Sequence, residues 1–488
     1  MEKTLKEALG KVPEIVADGD PLFPEFSQVA WSLAYGHITE RQGAPHSPYM
    51  DEGFAPDRIW IWDTCFMALY CKYAPELFPG IQSLENFYAP MLDGAQTTLP
   101  IHIPDNPPLF AWVEWEHWRH TGDKARLDSV FSERRCPQRM FDVFENFSVG
   151  DRMPYQTSVF PVMWEKRPLG YVWTGGRSGM DNTPRGDFPP EVFDNDPRYL
   201  SILWIDAIAQ QALACRIIYE ATGEDVWKSR FDDFAQTIND HYWDDEDGAY
   251  YDIASSPPHH KVRVLTPASF WPLLAGVVPT DRARRLVAHL ENAEELGGIV
   301  PFPSVSRKSR HFSPDGRYWR GGVWLPTAYM CVQALEGAGF GELADRLGEA
   351  VVRHQFETWR RHDPHTIWEC YSPTEPKPST GKFPDRAGNK GARPDFCGWS
   401  ALGPINMMIE NVLGIRCDGV RRRIDWHLHR RDRHGVRRLS FGGVTANLIF
   451  DGGRIEVETD EPFTLCVNGA SHDVPHGRIV LCASASSC

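Results

Sequence analysis

No apolar run in this chain reaches the length that crosses a bilayer, which argues against a transmembrane helix. The opening segment, MEKTLKEALGKVPEIVADGD, is too polar to be a secretory signal. Cysteine is present, but never in a chemistry-bearing spacing. The 11 cysteines are scattered, Cys65 and Cys71 are too far apart for a CxxC pair, and no zinc-finger spacing occurs. An odd, scattered set suits reduced thiols, so the expectation is a soluble cytoplasmic protein. HEXXH, P-loop, GxGxxG and GxSxG patterns are all missing, and His259-His260 stands alone in a proline-rich stretch. The sequence therefore predicts neither a metal ion nor an organic cofactor. Positive charge is also in deficit, with 51 basic against 66 acidic residues and a net charge of −15. Such a surface repels phosphate backbones, so neither nucleic acid nor membrane is an expected partner. One segment departs from this balance: RRRIDWHLHRRDRHGVRR at 421–438. It reads either as an anion patch or as a solvated, domain-joining face, and the second is the expectation. Nothing in the sequence fixes an oligomeric state.

Aromatic residues are abundant, at 12% with 18 tryptophans. Trp115, Trp118, Trp204 and Trp227 fall on helical periodicities and are expected to pack helices. Trp60, Trp62, Trp112, Trp319, Trp324, Trp368 and Trp399 sit beside charged residues. Aromatic faces next to carboxylates and guanidinium groups suit sugars, whose rings have flat C–H faces and hydroxyl rims.

Helical patterns dominate up to about residue 414. Periodicity predicts helices over 62–73, 109–121, 200–222, 226–242, 282–290, 323–338, 343–359 and 399–413, several stopped by a glycine such as Gly122, Gly223 or Gly414. HWRHTGDKARLDSVF at 117–131 echoes IIYEATGEDVWKSRF at 217–231, and GAGFGELADRL at 337–347 is a looser third copy. Repeated helix–turn–helix units suggest helix pairs arranged in a ring. Long loops at 97–111, 150–198, 297–321 and 364–397 are the expected functional segments. From about Ile415 the sequence alternates apolar and polar residues between GG, DGG and NGA turns, which predicts a short antiparallel β-module over 415–484 and a disordered tail ASASSC. The expected organisation is a helical catalytic domain, 1–414, followed by that module.

Two lone carboxylates stand in aromatic, loop-like settings. Asp181 lies in SGMDNTPRG (178–186), near Trp173, Asn182 and Arg185, and Glu369 lies in TIWECYSP (366–373) between Trp368 and Tyr371, with His365 nearby. An acid in a dry pocket and an ionised base holding a water, facing each other across a cleft, are what glycosidic hydrolysis requires. Each has a plain alternative: Asp181 as a turn cap, Glu369 as a surface glutamate, with Glu375 a local rival. Asp63 in RIWIWDTCF (58–66) reads as a helix N-cap or as a ligand for sugar hydroxyls. Arg320 in YWRGGVWLPT (318–327), flanked by Tyr318, Trp319 and Trp324, reads as a cleft guanidinium or a buried salt bridge. Lys377, Lys382, Arg386 and Lys390 are either partners for a substrate carboxylate or solvated loop charges.

Together with PPLFAW (107–112) and FCGWSALGP (396–404), these segments resemble glycoside hydrolase family 63, in particular its small bacterial members of mannosylglycerate-hydrolase type, with family 37 trehalases as cousins. The resemblance runs from about residue 58 to 414. It implies a mainly α fold, an (α/α)6 toroid, and inverting hydrolysis of a small α-linked glucoside or mannoside without a cofactor. Asp181 falls at the general acid and Glu369 at the general base. Trp62, Asp63, Trp173, Asn182, Arg185, Trp319 and Arg320 fall in stretches that line the sugar pocket. Trp112, Tyr318, Trp324, Trp368, Tyr371 and Trp399 complete the expected substrate-binding set. A sugar epimerase, a polysaccharide lyase or a non-catalytic carbohydrate-binding protein are the other expectations such a fold allows.

Overall fold

The computed structural model describes residues 2–53, 57–102, 109–152, 161–383 and 391–482, so the tail ASASSC lies outside the described residues. The helices divide by composition. Ile61–Cys71 is buried at every position and carries Asp63 as its one acidic residue. Leu325–Gly337 and Ile205–Thr222 are also buried along most of their length. A helix that is apolar all round must be surrounded by protein. Asp225–His241, Thr280–Glu291 and Gly341–Arg361 instead carry charge on one face and apolar residues on the other.

Buried helices pack side by side: Ile61–Cys71 on Phe110–Thr121, that helix on Ile205–Thr222, and the last on the short helix Trp271–Ala275. Trp271–Ala275 packs on Leu325–Gly337, which meets the wide helical turn Gly403–Val412, and that turn also touches Ile61–Cys71. The amphipathic helices double back outside them. Ile205–Thr222 ends at Gly223, in the left-handed conformation with φ 72°, and Asp225–His241 returns antiparallel against it.

Three sequence expectations need correction. The helix expected from 200 begins at Ile205. Residues Pro197–Ser201 form a 3-10 turn, and Ile202–Leu203 is a strand paired with Asp252–Ala254. The reason is local: the carboxylate of Asp252 accepts the Ile205 N–H at 3.0 Å and starts the helix there. The C-terminal β region takes in the N-terminal strand Glu14–Ala17, which pairs antiparallel with His434–Phe441 at the edge of a five-stranded sheet. In the second, four-stranded sheet Arg423–Trp426 pairs parallel with Phe463–Val467, so the module is not wholly antiparallel.

The basic run at 421–438 is threaded with acids. Arg430 bonds Asp20 and Asp432, Arg433 meets Asp18, and Arg437 and Arg438 share Glu14. These four arginines tie the β region to the N-terminal segment, while Arg421, Arg422 and Arg423 pair within the C-terminal region. The ten described cysteines are unbridged. Among the described residues no helix is long and apolar enough to cross a membrane.

Candidate active site

A cavity of about 500 Å³ opens among the loops at one end of the buried helices. That volume lies within the range of small-molecule sites, roughly 300–1,000 Å³. Trp60, Trp62, Tyr318, Trp319, Trp324 and Trp399 form its aromatic wall, and Arg58, Asp63, His102, Asp181, Asp194, Lys382 and Arg393 supply charge and polarity. Trp319 and Trp324 stack nearly parallel, with centroids 4.1 Å apart at 5°. Each chemistry-bearing side chain arrives from a long loop or a helix start.

Asp181 is carried past the cavity by a sharply bent segment. Gly179 sits at φ 80°, and a Cβ there would lie 2.9 Å from the indole of Trp62. Only glycine allows both the bend and the contact. The Asp181 carboxylate is 28% exposed and accepts from Lys382 Nζ at 2.6 Å, while the same ammonium group donates to Asp194 at 2.6 Å. Lys382 lies 5.0 Å over the ring of Tyr318. The Tyr318 hydroxyl donates to Glu369 Oε1 at 2.8 Å. Asp181 and Glu369 are thus linked through one lysine and one tyrosine.

Glu369 is buried and is not among the residues that line the cavity; it is joined to the wall through the Tyr318 hydroxyl. The Arg393 backbone N–H donates to its Oε2 at 3.1 Å, and its own carbonyl accepts from Trp399 Nε1 at 2.9 Å and Ser400 Oγ at 3.1 Å. Asp63 is not an N-cap. Trp60 holds that position, and Asp63 lies in the first turn of Ile61–Cys71, where its buried Oδ1 has no hydrogen-bond partner among the described residues.

The electrostatics follow from burial and crowding. Burial raises the pKa of Asp63 well above the usual carboxylate range, with Glu369 and Asp181 adding to it. Burial also raises Asp181, opposed by Lys382 and reinforced by Asp194. Glu369 is raised by burial and by Asp181, against the lowering influence of Arg393 and the Tyr318 hydrogen bond. Burial disfavours the charge on Lys382, but Asp181 and Asp194 outweigh it and raise its pKa.

Several expected pocket residues are turned elsewhere. Arg185 is fully buried and chelates two carboxylates, Asp206 and Asp252, through four hydrogen bonds of 2.5–2.9 Å, with Trp204 stacked at 4.3 Å. Arg320 donates to the carbonyls of Phe188 and Pro189 at 3.0 and 2.9 Å. Trp112 packs among Phe66, Trp271 and Tyr329 in the core, and Trp173 among Trp164 and Trp204. Asn182 braces the loop, accepting from Trp319 N at 2.8 Å and donating to the Arg317 carbonyl at 3.1 Å. Trp368 meets His362, and the hydroxyl of Tyr371 accepts the Trp368 N–H at 3.1 Å. His365 bonds the Trp359 carbonyl, and Glu375 pairs with Lys377 in solvent. Arg386 and Lys390 lie outside the described residues. His102, Asp194 and Arg393 line the cavity without any signal in the sequence, and Lys382 carried only the ambiguous signal of a loop cation.

Residues 90–383, more than half of the chain and spanning both Asp181 and Glu369, match the family described as mannosylglycerate hydrolase MGH1-like glycoside hydrolase domain. The chain belongs to glycoside hydrolase family 63. Family 63 membership makes it a glycoside hydrolase. The chain is 37% identical to the mannosylglycerate hydrolase of Thermus thermophilus over 128 residues, 25% of this chain and 30% of that enzyme. A family 63 mannosylglycerate hydrolase from Thermus thermophilus, solved in complex with glucose, shares the fold with a TM-score of 0.55 at 19% identity, over 78% of this chain and 99% of that one. The neutral trehalase of Saccharomyces cerevisiae is similar at a TM-score of 0.52 and 15% identity, over 74% and 73% of the two chains.

Proposed function

We propose that this family 63 chain is an inverting, exo-acting α-glycoside hydrolase for a small α-glucoside or α-mannoside, with a sugar joined to glycerate as the favoured substrate. The observation that carries the proposal is the linkage Asp181–Lys382–Tyr318–Glu369, whose first three members line one aromatic-walled cavity and whose last is buried behind Tyr318. Asp181 protonates the leaving oxygen. Glu369 takes a proton from water on the opposite face of the sugar, which requires the two carboxyl groups to stand about 6.5–9.5 Å apart. Burial and the neighbouring carboxyls raise the pKa of Asp63 and favour its neutral form, which can both donate to and accept from a sugar hydroxyl. The stacked Trp319 and Trp324 offer an apolar wall to a pyranose face. A cavity of this size holds one or two sugar rings, which favours exo-action on a short substrate. The run of helix contacts that returns from Gly403–Val412 to Ile61–Cys71 supports an (α/α)6 toroid as the catalytic domain, 1–414, with 415–484 as its appended β-module.

Mannosylglycerate as the substrate is carried over from the Thermus relative. Lys382 gives that reading a physical handle. An aglycone carboxylate beside Asp181 competes for the ammonium group and frees the acid to hold its proton. The functional test is a panel of α- and β-linked glucosides and mannosides with glycerate, glyceryl and sugar aglycones. Free reducing sugar from the α-linked members, fastest from the glycerates, is expected. Release from β-linked members alone would overturn the proposal.

Two variants probe the acid and the base separately. Lys382 lowers the pKa of Asp181, so in Lys382→Met the acid keeps its proton to higher pH. The alkaline limb of kcat/KM therefore moves up, and the preference for glycerate over glyceryl substrates shrinks. An unmoved limb speaks against the assignment. Tyr318→Phe removes a hydrogen bond that lowers the pKa of Glu369, so the acid limb moves to higher pH. A hydrogen bond to a charged group contributes about 1.5–3 kcal/mol, so kcat/KM at neutral pH is expected to fall roughly 10- to 100-fold. A pH–rate profile of each variant against the parent measures both shifts.

A further inference from the structure

Among the described residues, one group offers ligand-type atoms at metal-binding separations: Asp345, His427 and His429, with one donor atom of each within 4.8 Å of the others. It lies at the seam between helix Gly341–Arg361 and the β region, away from the sugar cavity, where a groove of about 530 Å³ runs past Asp345, Glu349, His427 and His429. The geometry is built by two regular elements. Asp345 and Glu349 stand one turn apart on the helix and share a face. His427 and His429 alternate by two on an extended stretch, and Leu428 between them is pinned by Asn468 through its N–H at 2.8 Å and its carbonyl at 3.2 Å.

Each carboxylate has one oxygen tied down and the other turned to a histidine. Oδ1 of Asp345, which is 5% exposed, takes Arg416 and Asn411, and its Oδ2 is hydrogen-bonded to His427 Nδ1, a contact that a bound ion replaces. Oε1 of Glu349 takes Arg353, and its Oε2 lies 4.0 Å from His429 Nε2. His429 Nδ1 donates to the His427 carbonyl at 3.0 Å, because a carbonyl can only accept. The neutral ring therefore presents a lone pair on Nε2, and that lone pair faces a carboxylate oxygen beyond hydrogen-bond distance. A backbone carbonyl fixing one ring nitrogen while the other is free is how metal-ligating histidines are oriented.

We propose that Asp345, His427 and His429 bind one divalent transition ion of the zinc class, with Glu349 adjacent, clamping the helix to the β region. Two imidazoles and a carboxylate select such an ion over magnesium or calcium, which prefer all-oxygen sites. Arg416, Arg353 and Arg430 all reach the same carboxylates and offset part of their charge, so they set the affinity against which the ion competes.

The test uses the chelator-stripped full chain, titrated calorimetrically with zinc and spectroscopically with cobalt(II). One equivalent of zinc is expected, with visible cobalt bands of a nitrogen–oxygen site and no thiolate charge-transfer band. His429→Asn and His427→Asn are each expected to weaken binding at least ~10-fold. The contacts of His429 are the local carbonyl bond, the long approach to Glu349 and a tilted ring contact with His427 at 5.3 Å, none of them to the core, so its variant keeps the fold intact if the His427 variant does not. Absence of stoichiometric binding, equal binding in the His429 variant, or a thiolate band would overturn the site. None of these results bears on the glycosidase reading.

Discussion

Asp181→Asn and Glu369→Gln are each expected to lower kcat on an α-mannoside or α-glucoside by about 10²- to 10⁴-fold, the usual worth of a positioned proton donor or acceptor. The two losses differ in kind. An acid is needed only where the leaving oxygen needs a proton, so Asp181→Asn is expected to recover most of its rate on a glycosyl fluoride. A base is needed for water attack whatever departs, so Glu369→Gln stays slow on both substrates. Asp181 is suited to the first role because burial and Asp194 favour its protonated form while Lys382 opposes them. Burial raises the pKa of Glu369, and Tyr318 and the Arg393 N–H oppose it by stabilising the charged form that the second role needs. Equal behaviour of both variants on the fluoride, or near-parental turnover in either, contradicts the assignment. Circular dichroism of each variant is expected to match the parent, since neither carboxylate supports a helix pairing.

Arg185→Met is expected to be among the most destabilising single changes in the chain. Asp206 and Asp252 both surrender their solvent contact to this one guanidinium, and all three are buried. Removing it leaves two buried carboxylates without a counter-charge, each keeping one backbone N–H donor. The cost of breaking a buried pair in this way is about 3–5 kcal/mol. The same arginine ties the Asp181 loop to the start of helix Ile205–Thr222 and to strand Asp252–Ala254, so the variant is expected to lose activity together with stability. Urea unfolding measures the shift in midpoint. Adding Asp206→Asn to Arg185→Met is expected to restore part of it, because only one charge is then orphaned. An unchanged midpoint in Arg185→Met shows that the triad contributes nothing net.

The SGMDNTPRG segment shows what was legible in the sequence and what was not. Its glycines and proline gave a bent loop, and Asp181 does reach the cavity. Arg185, four residues on, faces the opposite way, because a loop can direct neighbouring side chains to different sides and no periodicity reports it. The same ambiguity applies to Arg320: an arginine between tryptophans fits a cleft or a buried brace equally, and the carbonyls of Phe188 and Pro189 decide for the brace. Helices with sustained 3.6-residue periodicity, such as Gly341–Arg361, were readable to within a few residues. The strand Glu14–Ala17 was not, because four residues carry too little pattern and its partner lies over four hundred positions away. Lys382 was visible only as a loop charge. Its meeting with Asp181, two hundred positions away, is purely tertiary.

The central claim is that water attacks from Glu369 while Asp181 protonates the leaving oxygen on the other face. Proton NMR of the first product formed from an α-mannoside or α-glucoside tests this most directly, recorded before mutarotation. The account predicts the β-anomer appearing first. The α-anomer appearing first would contradict it, whatever the rate.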